Sequence, residues 1–225
     1  MEATATHEDF VKALHAQRVW DAELPGFDPG SATADPVALF HAWFLDAVRA
    51  GQPEPHTMTL ATADADGRPD LRTLMLHDAD ARGWHFASHA TSAKGRQLAA
   101  RPDAALGFYW PAVGRQVRIR GAVSAGSAEE GRADLAARTR GALAAALTGH
   151  QSEVLGSAEE LARAADAAWE RAGAEPDAVS ATWTRYVLHP REVEFFQGDP
   201  ARRHVRLRYT RSADGEHWAR ELLWP

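Results

Sequence analysis

The chain has 225 residues, a net charge of −6, 45% apolar and 25% charged residues, and no cysteine. This length and composition predict one globular domain with a full core. The missing cysteine excludes disulfides, thiolate metal sites and thiol catalysis, and the acidic balance predicts no general attraction to nucleic acid or to an anionic membrane.

The sequence carries no visible targeting or membrane signal. Apolar runs fall well short of the roughly 20 residues that a bilayer-spanning helix needs. The start of the chain, Met1–Thr4, has neither a basic region nor a following apolar core, which is the pattern of a secretory signal. We therefore expect a cytoplasmic protein.

The first 34 residues are polar and irregular. We predict a short helix from Glu8 to Val19 and a flexible arm after it, because prolines and glycines recur up to Gly30. Asp35-Pro36 then has the pattern of a helix start, with an aspartate cap and proline in the first turn. Apolar residues at helical spacing follow, and Pro53 ends this helix.

Several segments of strand character come next, separated by turn signals. Asp64–Gly67 is typical of a hairpin turn, and Pro102 ends a short helix over 92–101. The predicted strands are Met58–Ala63, Leu71–His77, Gly83–Ser88, Ala104–Trp110 and Arg115–Ala125. Strands at this regular spacing indicate a closed antiparallel barrel.

The composition changes after about Ser127. Residues 127–173 are rich in alanine, glutamate and arginine with helical periodicity, and we predict two or three helices with a break near Gly149-His150. The closing strands are predicted at Trp183–Leu188, Val193–Phe196, His204–Thr210 and His217–Leu223. We therefore expect an arm over 1–34 and a single domain over 35–225 with a helical insert at about 127–173.

Two segments could bind an anion. Arg72 opens an otherwise apolar strand, and a charged residue there needs an anion or solvent. In Ser88–Arg96 a strand ends in a small polar loop and a helix begins near Ser92, so free backbone N–H groups, hydroxyls and Lys94 could cradle a phosphate. The alternatives are an arginine in water and an ordinary serine cap beside a solvated lysine.

Two further segments combine basic and aromatic or apolar residues. In Gly114–Gly121 a polar, basic strand face alternates with an apolar one, and the alternative is a solvated outer face. Near the C-terminus, Glu194–Gly198 is followed by Arg202–Arg206, which could bind a planar anion or form a surface basic cluster. A fifth segment, Gln151-Ser152, is uninformative by itself.

Other common site patterns are missing from the sequence. The 11 histidines show no metal-ligand spacing, since the i, i+4 spacing of His85 and His89 fits a metal-ligand pair only in a helix and the segment has strand and loop character. No Walker loop, nucleophile elbow or dinucleotide Gly-x-Gly-x-x-Gly is present. We therefore predict no metal site.

Taken in order, these segments resemble the pyridoxamine 5'-phosphate oxidase family, from about Asp35 to Pro225. Each motif alone is weak evidence for the family, but the whole set in this order is specific for it. It comprises Pro53-Glu54-Pro55, Leu60-Ala61-Thr62, Gly67-Arg68-Pro69, the Arg72 strand, Ser92–Arg96, Gly114–Arg118, Gln151-Ser152, Glu194-Phe195, Gln197-Gly198, Arg202, His204, Arg206 and Leu223-Trp224-Pro225.

The resemblance implies a mainly β (α+β) fold, a split antiparallel β-barrel with flanking helices that binds FMN between the two subunits of a homodimer. Arg72 and Lys94 would meet the cofactor phosphate, and Phe196 stands where the family usually has tryptophan. The residues implied to bind FMN are Arg72, Thr73, Leu74, Met75, His77, Ser88, Lys94, Gln116, Gln151, Ser152, Phe196 and Arg206.

The resemblance also assigns a substrate side. Arg202 and His204 would be the catalytic pair, which orients the substrate and could take a proton from it. Arg138 would be a further substrate contact. Family oxidases hold their substrate phosphate with lysine, tyrosine, arginine and serine. The matching positions here are His77, Asp134, Arg138 and Ala142, so that only the arginine remains.

The altered phosphate grip and the Ser88-His89-Ala90 stretch resemble the phenazine-biosynthesis branch of the family. We therefore expect an FMN-dependent oxidase that removes hydride from a reduced nitrogen heterocycle or amine, with dioxygen as the electron acceptor. The first alternative is a pyridoxamine/pyridoxine 5'-phosphate oxidase that makes pyridoxal 5'-phosphate. The second is a flavin- or haem-binding barrel without turnover, and a deazaflavin reductase on the same barrel is a further one.

Overall fold

The computed structural model describes residues 6–20 and 23–225. Its six helices within this part of the chain are α1 (His7–His15), α2 (Pro36–Arg49), α3 (Ala93–Ala100), α4 (Ala128–Ala136), α5 (Arg140–Thr148) and α6 (Ala158–Ala174). Its nine strands are β1 (Thr57–Ala63), β2 (Pro69–Met75), β3 (Asp78–Asp80), β4 (Gly83–His89), β5 (Asp103–Trp110), β6 (Arg115–Ala125), β7 (Trp183–Gln197), β8 (Val205–Arg211) and β9 (Trp218–Leu222).

The strands form one curled antiparallel sheet in the order β2-β1-β5-β6-β7-β4-β3. Strand β8 pairs with the C-terminal half of β7, and β9 pairs with β8. Strand β4 pairs with the N-terminal half of β7, so β7 joins the β4–β3 strands to the β8–β9 strands. This architecture confirms the mainly β fold with flanking helices that the sequence predicts.

Helix α2 begins where the sequence predicts it. The Asp35 carboxylate accepts a hydrogen bond from the Val37 amide at 2.9 Å, and Pro36 occupies the first turn. Its apolar stripe buries Phe40 and Trp43 against the sheet. Burial of each large apolar side chain stabilises the fold by roughly 1.5–3 kcal/mol, so this helix closes one side of the core.

The main core is rich in aromatic side chains. The Phe40 ring packs edge-on against Trp84 and Phe108 at centroid distances of 5.4 and 5.0 Å. Trp43 packs in the same way against Phe195 at 5.1 Å. Such edge-to-face contacts add to area burial, and they join α2 to three strands of the sheet, β4, β5 and β7.

Strand β7 differs from the prediction of two strands divided around Pro190. The strand continues because Pro190 lies opposite Gly121, at an irregularity between Arg120 and Gly121 in β6. A Cβ at Gly121 would lie 1.9 Å from the His189 carbonyl oxygen, so only glycine allows this close approach. A bulge thus accommodates the proline that elsewhere interrupts a central strand.

Other boundaries also differ from the predictions. Strand β2 ends at Met75, which leaves His77 in the connection, and β3 was not predicted. Helix α1 ends at His15 rather than Val19. Three residues are too few for a periodic signal, which explains why β3 escapes sequence analysis.

The helical insert forms its own small core beside the sheet. Leu135 and Leu143 pack there with alanines of α5 and α6. Helix α4 lies close to β7, since a Cβ at Gly131 would be 2.7 Å from the Trp183 carbonyl oxygen. The insert is thereby placed over the N-terminal half of β7.

The segment before α2 contacts the main core at several points. Phe27 packs edge-on against Trp43 at 5.0 Å, and the Tyr209 hydroxyl donates to the Thr33 carbonyl at 2.7 Å. Helix α1 has no buried residue. The division into an arm over 1–34 and a domain over 35–225 stays a prediction, and part of that arm lies outside the described residues. Every helix among residues 6–20 and 23–225 is too short or too polar to cross a membrane.

Candidate active site

A cavity of about 820 Å³ lies between the sheet and the helical insert. One wall is formed by the end of β2 and by β4, and the other by α5 and α6. The lining is mostly apolar, with alanines of α5 facing Trp169 and Trp183. The predicted site residues that line it are Thr73, Leu74, Met75, His77, Ser88, Arg138 and Gln151.

Lys94 is the buried cation nearest this cavity. Its Nζ donates to the Ser88 hydroxyl at 3.1 Å and to the Gln151 side-chain oxygen at 2.9 Å. Burial first, and then repulsion from Arg72, lower the pKa of this amine from 10.5 to about 8. The part of the chain that the structure describes offers Lys94 no carboxylate within ion-pair distance, so it retains the capacity to bind an anion.

The loop that carries Gln151 is attached to the start of α3. The Ser152 hydroxyl accepts a hydrogen bond from the Ala93 amide at 3.1 Å, and Ser152 has a positive φ of 76°. The Ser92 hydroxyl caps the same helix through the Gly95 amide. A segment that is interpretable only through the family resemblance therefore meets the predicted phosphate loop.

Arg72 lies on β2, half-buried against β1. Its guanidinium donates to the Thr62 hydroxyl at 2.5 Å and to the Gln97 side-chain oxygen at 3.0 Å, and it pairs with Asp70. The Asp70 side chain is 47% exposed. The solvated arginine considered from the sequence is thus excluded, because Arg72 is tied into a polar network beside Lys94.

A four-residue polar cluster lies in the cavity wall. The Asp134 carboxylate accepts hydrogen bonds from the Trp183 indole at 2.8 Å and from Arg138 Nε at 3.0 Å, and it lies 3.0 Å from His77 Nδ1. Although burial opposes ionisation, these partners hold the pKa of Asp134 well below its ordinary value. The carboxylate is therefore a fixed negative charge that neutralises Arg138.

A second group of predicted site residues lies around the C-terminal half of β7. Gln116 on β6 is opposite Phe196, which in turn is opposite Arg206 on β8. Arg206 donates to the buried carboxylate of Glu194 at 2.8 Å and to the Trp224 carbonyl at 2.8 Å. Arg118 on β6 also pairs with Glu194. Although burial opposes ionisation, these two arginines hold the pKa of Glu194 below its ordinary value.

The predicted catalytic pair belongs to this second group. His204 Nδ1 accepts a hydrogen bond from the Asp199 amide at 3.0 Å, and its ring packs 5.2 Å from Phe196. The Trp20 ring covers both, at 5.3 Å from His204 and 6.4 Å from Phe196. Arg202 has a positive φ of 65° in the turn before β8 and is exposed.

The two groups lie far apart along the chain's own sheet. Ser88 is opposite Thr184 and Gln116 is opposite Phe196, so both are registered on β7. The stretch between them is roughly 40 Å at about 3.3 Å per residue. None of the described residues of the second group lines the cavity. One chain therefore holds the predicted site residues in two separate places.

Three further residues at the cavity were not assigned as site residues from the sequence. These are Trp183, Trp169 and His89. The sequence analysis considered His89 only for metal-ligand spacing and as part of the Ser88-His89-Ala90 stretch. His89 is buried, and its Nδ1 lies 2.8 Å from the Thr182 hydroxyl. The alternation along β4, which puts His89 on the same face as His85, carries no signal that distinguishes a cavity histidine from a core one.

A possible metal-ligand group occurs at the edge of the sheet, where β3 pairs with β4. Asp78, Asp80 and His85 bring one ligand atom each within 4.8 Å of the others. Arg82 pairs with Asp80 at 3.2 Å, and Arg185 lies 3.6 Å from Asp78. These cations already compensate the carboxylates, so the group is an ion-pair cluster in this structure.

Family comparisons agree with this architecture. The family model described as pyridoxamine 5'-phosphate oxidase matches residues 44–172, more than half of the chain. The chain belongs to the pyridoxamine 5'-phosphate oxidase family. A second model, the pyridoxine 5'-phosphate oxidase C-terminal dimerisation region, matches residues 183–225, which contain every member of the second group except Gln116.

Curated relatives of the family are similar over nearly the whole chain. A pyridoxine/pyridoxamine 5'-phosphate oxidase of Pseudomonas fluorescens is 43% identical over 208 residues, which cover 91% of this chain and 95% of that protein. A protein of the same name from Burkholderia lata is 43% identical over 199 residues, 88% of this chain and 92% of that protein. These matches confirm that the chain belongs to a family of oxidoreductases.

Solved structures confirm the split-barrel fold. The structure of PhzG from Burkholderia lata, in complex with tetrahydrophenazine-1-carboxylic acid, has a TM-score of 0.81 and 31% identity and covers 91% of this chain and 98% of that one. An FMN-binding, pyridoxamine 5'-phosphate oxidase-related protein from Nostoc punctiforme has a TM-score of 0.69 at 22% identity, covering 85% and 98% of the two chains. The second likeness concerns the fold alone.

Proposed function

We propose that this chain is an FMN-dependent oxidase of a reduced nitrogen heterocycle, with dioxygen as the electron acceptor, and that it acts as a cytoplasmic homodimer. Membership of the oxidase family supports the reaction class. The observation that carries the substrate assignment is the Asp134 cluster, because it places a carboxylate where a phosphate substrate needs cations.

The residues around Lys94 fit the phosphate of FMN. Lys94 is a buried cation surrounded by the hydroxyls of Ser88 and Ser92 and by Gln151, and Arg72 is the neighbouring cation. Two adjacent cations repel each other until an anion lies between them. Asp70 already pairs with Arg72, so a phosphate would chiefly compensate Lys94, which has no carboxylate partner among the described residues, through a charge-assisted hydrogen bond.

The rest of the cofactor contacts divide between the two groups. In our proposal the end of β2 and the loop at Gln151 hold FMN from one copy, while residues near the C-terminus hold it from the other. The first set is Arg72, Thr73, Leu74, Met75, His77, Ser88, Lys94, Gln151 and Ser152, and the second is Gln116, Phe196 and Arg206. Bound FMN would supply the redox chemistry by accepting a hydride and passing electrons to dioxygen.

Two copies would complete a site that one chain divides. The roughly 40 Å of strand between the two groups is bridged if the second group of one subunit faces the cavity of its partner. The dimerisation-region match over residues 183–225 supports this arrangement. Strand β2 is also at the sheet edge and exposes Leu71 and Met75, at 70% and 54%, which a partner would cover.

The cavity favours a flat, apolar substrate over a small phosphate ester. A phosphate dianion requires cations and hydroxyl donors. At the matching positions the chain offers His77 and Arg138, already engaged with the Asp134 carboxylate, and the methyl group of Ala142. The Trp183 indole and the alanines of α5 provide the broad apolar walls that an aromatic ring system needs.

Arg202 and His204 would approach the substrate from the partner copy. His204 is oriented by the Asp199 amide, which leaves Nε2 for the substrate, and the exposed Arg202 provides a charge for a substrate carboxylate. Arg138 would be the cation on the cavity side. The bound ligand of the PhzG structure, a reduced tricyclic carboxylic acid, has this chemistry and supports the proposal.

A pyridoxamine/pyridoxine 5'-phosphate oxidase is the second candidate. It is favoured by relatives of that name, which are 43% identical over 91% of the chain. The cluster at Asp134 argues against it, since the loss of charge-assisted bonds at about 1.5–3 kcal/mol each would weaken phosphate binding by several powers of ten.

Anaerobic reduction of the flavin distinguishes these functions. We expect the purified protein to be yellow with one FMN per chain, and a reduced phenazine carboxylate to bleach it faster than pyridoxamine 5'-phosphate does. Efficient turnover of pyridoxamine phosphate, with a Michaelis constant in the low micromolar range, would favour the second candidate. A flavin that no reduced substrate bleaches would identify a binding protein without turnover.

A designed variant tests the residue assignment. The triple change His77→Lys, Asp134→Tyr and Ala142→Ser restores the family's phosphate-binding side chains at positions that the structure places at the cavity. We expect this variant to gain activity on pyridoxamine phosphate and to lose activity on the heterocycle. An unchanged preference would mean that these positions do not contact the substrate.

A further inference from the structure

His89 is a cavity residue with one ring nitrogen engaged and one available. It ends β4, is 3% exposed and lines the cavity. Its Nδ1 lies 2.8 Å from the Thr182 hydroxyl, and its ring packs edge-on against Trp183 at 5.1 Å. For Nε2, the described parts of the chain, 6–20 and 23–225, provide no hydrogen-bond partner.

The backbone around His89 is held firmly, so its ring has a defined position. The amide of Ala90 donates to the Thr182 carbonyl at 2.7 Å, and the His89 carbonyl accepts from the Ser92 hydroxyl at 2.7 Å. The ring is thus fixed between the strand pair β4–β7 and the start of α3. Precise orientation of this kind is required of a group that transfers a proton.

We propose that His89 is a catalytic residue of the oxidation, which accepts the substrate's N–H proton at Nε2. This inference rests on the proposed function. When Nδ1–H donates to the Thr182 hydroxyl, the lone pair of the neutral imidazole is at Nε2. Arg138 lies over the Trp183 indole, 4.6 Å from its ring centroid, and would bind the substrate's carboxylate.

The reaction requires such an acceptor. Oxidation of an amine CH–NH unit to C=N breaks one C–H bond and one N–H bond. The C–H hydrogen leaves as hydride, with two electrons, to the flavin oxidant of the proposed function. The N–H proton leaves to His89 Nε2, the nitrogen electron pair forms the C=N bond, and the imidazolium then releases the proton to water.

The charges around His89 favour the neutral form that this role requires. Burial first, and then the nearby Lys94, lower the pKa of the imidazole. The remaining charged groups of the cavity wall are Asp134 and Arg138, which compensate each other, together with the titratable His77 beside them. A histidine that is neutral at pH 7 can accept a proton without first losing one.

The substitution His89→Asn tests the proposal, because the asparagine amide can still donate to Thr182 while Nε2 is lost. General-base catalysis contributes about 10²–10⁴-fold to rate, so we expect anaerobic flavin reduction by a reduced phenazine carboxylate to slow at least about 100-fold at pH 7. The KM should change little, and the acidic limb of the pH profile should disappear. His217→Asn, on the exposed β8–β9 turn, is the matched control and should react at the wild-type rate.

A second measurement is independent of turnover. Two-bond ¹H–¹⁵N spectra of the ¹⁵N-histidine protein with FMN bound report the tautomer of each ring, and the His89 signals are those missing from His89→Asn. We expect a neutral ring at pH 7 with the proton on Nδ1. We also expect Thr182→Val, which removes the Nδ1 partner, to shift the ring toward the other tautomer and to lower the rate at unchanged FMN content.

The outcomes separate the two proposals. If the wild-type flavin is bleached by the heterocycle and His89→Asn is bleached equally fast, or if the His89 proton is on Nε2, then the role of His89 is refuted and the proposed function stands. If the heterocycle does not bleach the wild-type flavin, the proposed function fails, and the role of His89 fails with it.

Discussion

Lys94 provides a test in which stability and cofactor binding change in opposite directions. The chain has two lysines, Lys12 on exposed α1 and the buried Lys94. Lys94→Met replaces the amine with an apolar group of similar length. We expect the substitution to stabilise the FMN-free protein and to weaken FMN binding, because a buried cation without a carboxylate partner is costly until an anion compensates it.

The magnitude follows from the pKa of Lys94. A fall from 10.5 to about 8 corresponds to roughly 3 kcal/mol of unfavourable charge burial. Water in the open cavity and the loss of hydrogen bonds to Ser88 and Gln151, at about 0.5–1.5 kcal/mol each, reduce the net gain to about 1 kcal/mol. For a chain of this size that gain raises the Tm of the FMN-free protein by about 2–4 °C.

The pH dependence has a definite sign. Between pH 8 and 10.5 the unfolded lysine binds a proton that the folded one has released, so the stability of the wild type rises with pH relative to the variant. The advantage of Lys94→Met should therefore be present below pH 8 and decrease toward pH 10.5. Lys12→Met should show no such dependence.

Two assays complete the test. Urea unfolding of flavin-free wild type, Lys94→Met and Lys12→Met gives the free energies of unfolding at each pH. Titration of FMN, followed by quenching of its fluorescence, should show binding at least about tenfold weaker in Lys94→Met, since a charge-assisted bond contributes roughly 1.5–3 kcal/mol. A flavin-free variant less stable than the wild type, or one with unchanged FMN affinity, would refute the reasoning.

Three further predictions concern the sheet, the cavity wall and the assembly. Gly121→Ala should destabilise the fold by more than about 3 kcal/mol, because its Cβ would lie 1.9 Å from the His189 carbonyl oxygen. Gly107→Ala is the control, since a Cβ there has nothing within 4 Å. Similar urea midpoints for the two variants would contradict the close approach at Gly121. Asp134→Asn should lower the free energy of unfolding by about 1.5–3 kcal/mol at pH 7, because it leaves Arg138 without its carboxylate. Since the pKa of Asp134 is lowered in the folded protein, the difference in stability from the wild type should shrink as the pH falls below about 4. A difference that is constant from pH 7 to 3 would exclude this ion pair. Light scattering should give the mass of a dimer, and flavin absorbance should give two FMN per dimer. A monomer that retains FMN on dilution would refute the shared-site proposal.

Features with a local cause could be predicted from the sequence. The cap at Asp35 and the helical stripe of α2 depend on neighbouring residues alone, and so does the turn at Gly67, where φ is 85°. The change of composition near Ser127 predicted the helical insert, which the structure resolves into α4, α5 and α6. The ordered motifs also predicted the family, because their spacing reflects one fold.

Features that depend on distant pairings could not be predicted in this way. A proline in a run of residues predicts a break in a strand, and only the pairing with Gly121 shows why β7 continues through Pro190. The same holds for the hydrogen bonds of Asp134, whose place beside His77 depends on the packing of α4 against β7. Periodicity shows it only as one acidic residue of a helix, and the family resemblance alone grouped it with His77 and Arg138.

The sequence by itself therefore determined the elements with local signals, the family and the residue types of the site. Only the tertiary structure decided which of those residues share a cavity. Lys94 and Gln151 meet beside it, whereas Gln116 and His204 lie at the far end of β7. The physical reason is that a contact between residues far apart in sequence depends on strand register and helix packing, which the interactions of the whole chain decide together.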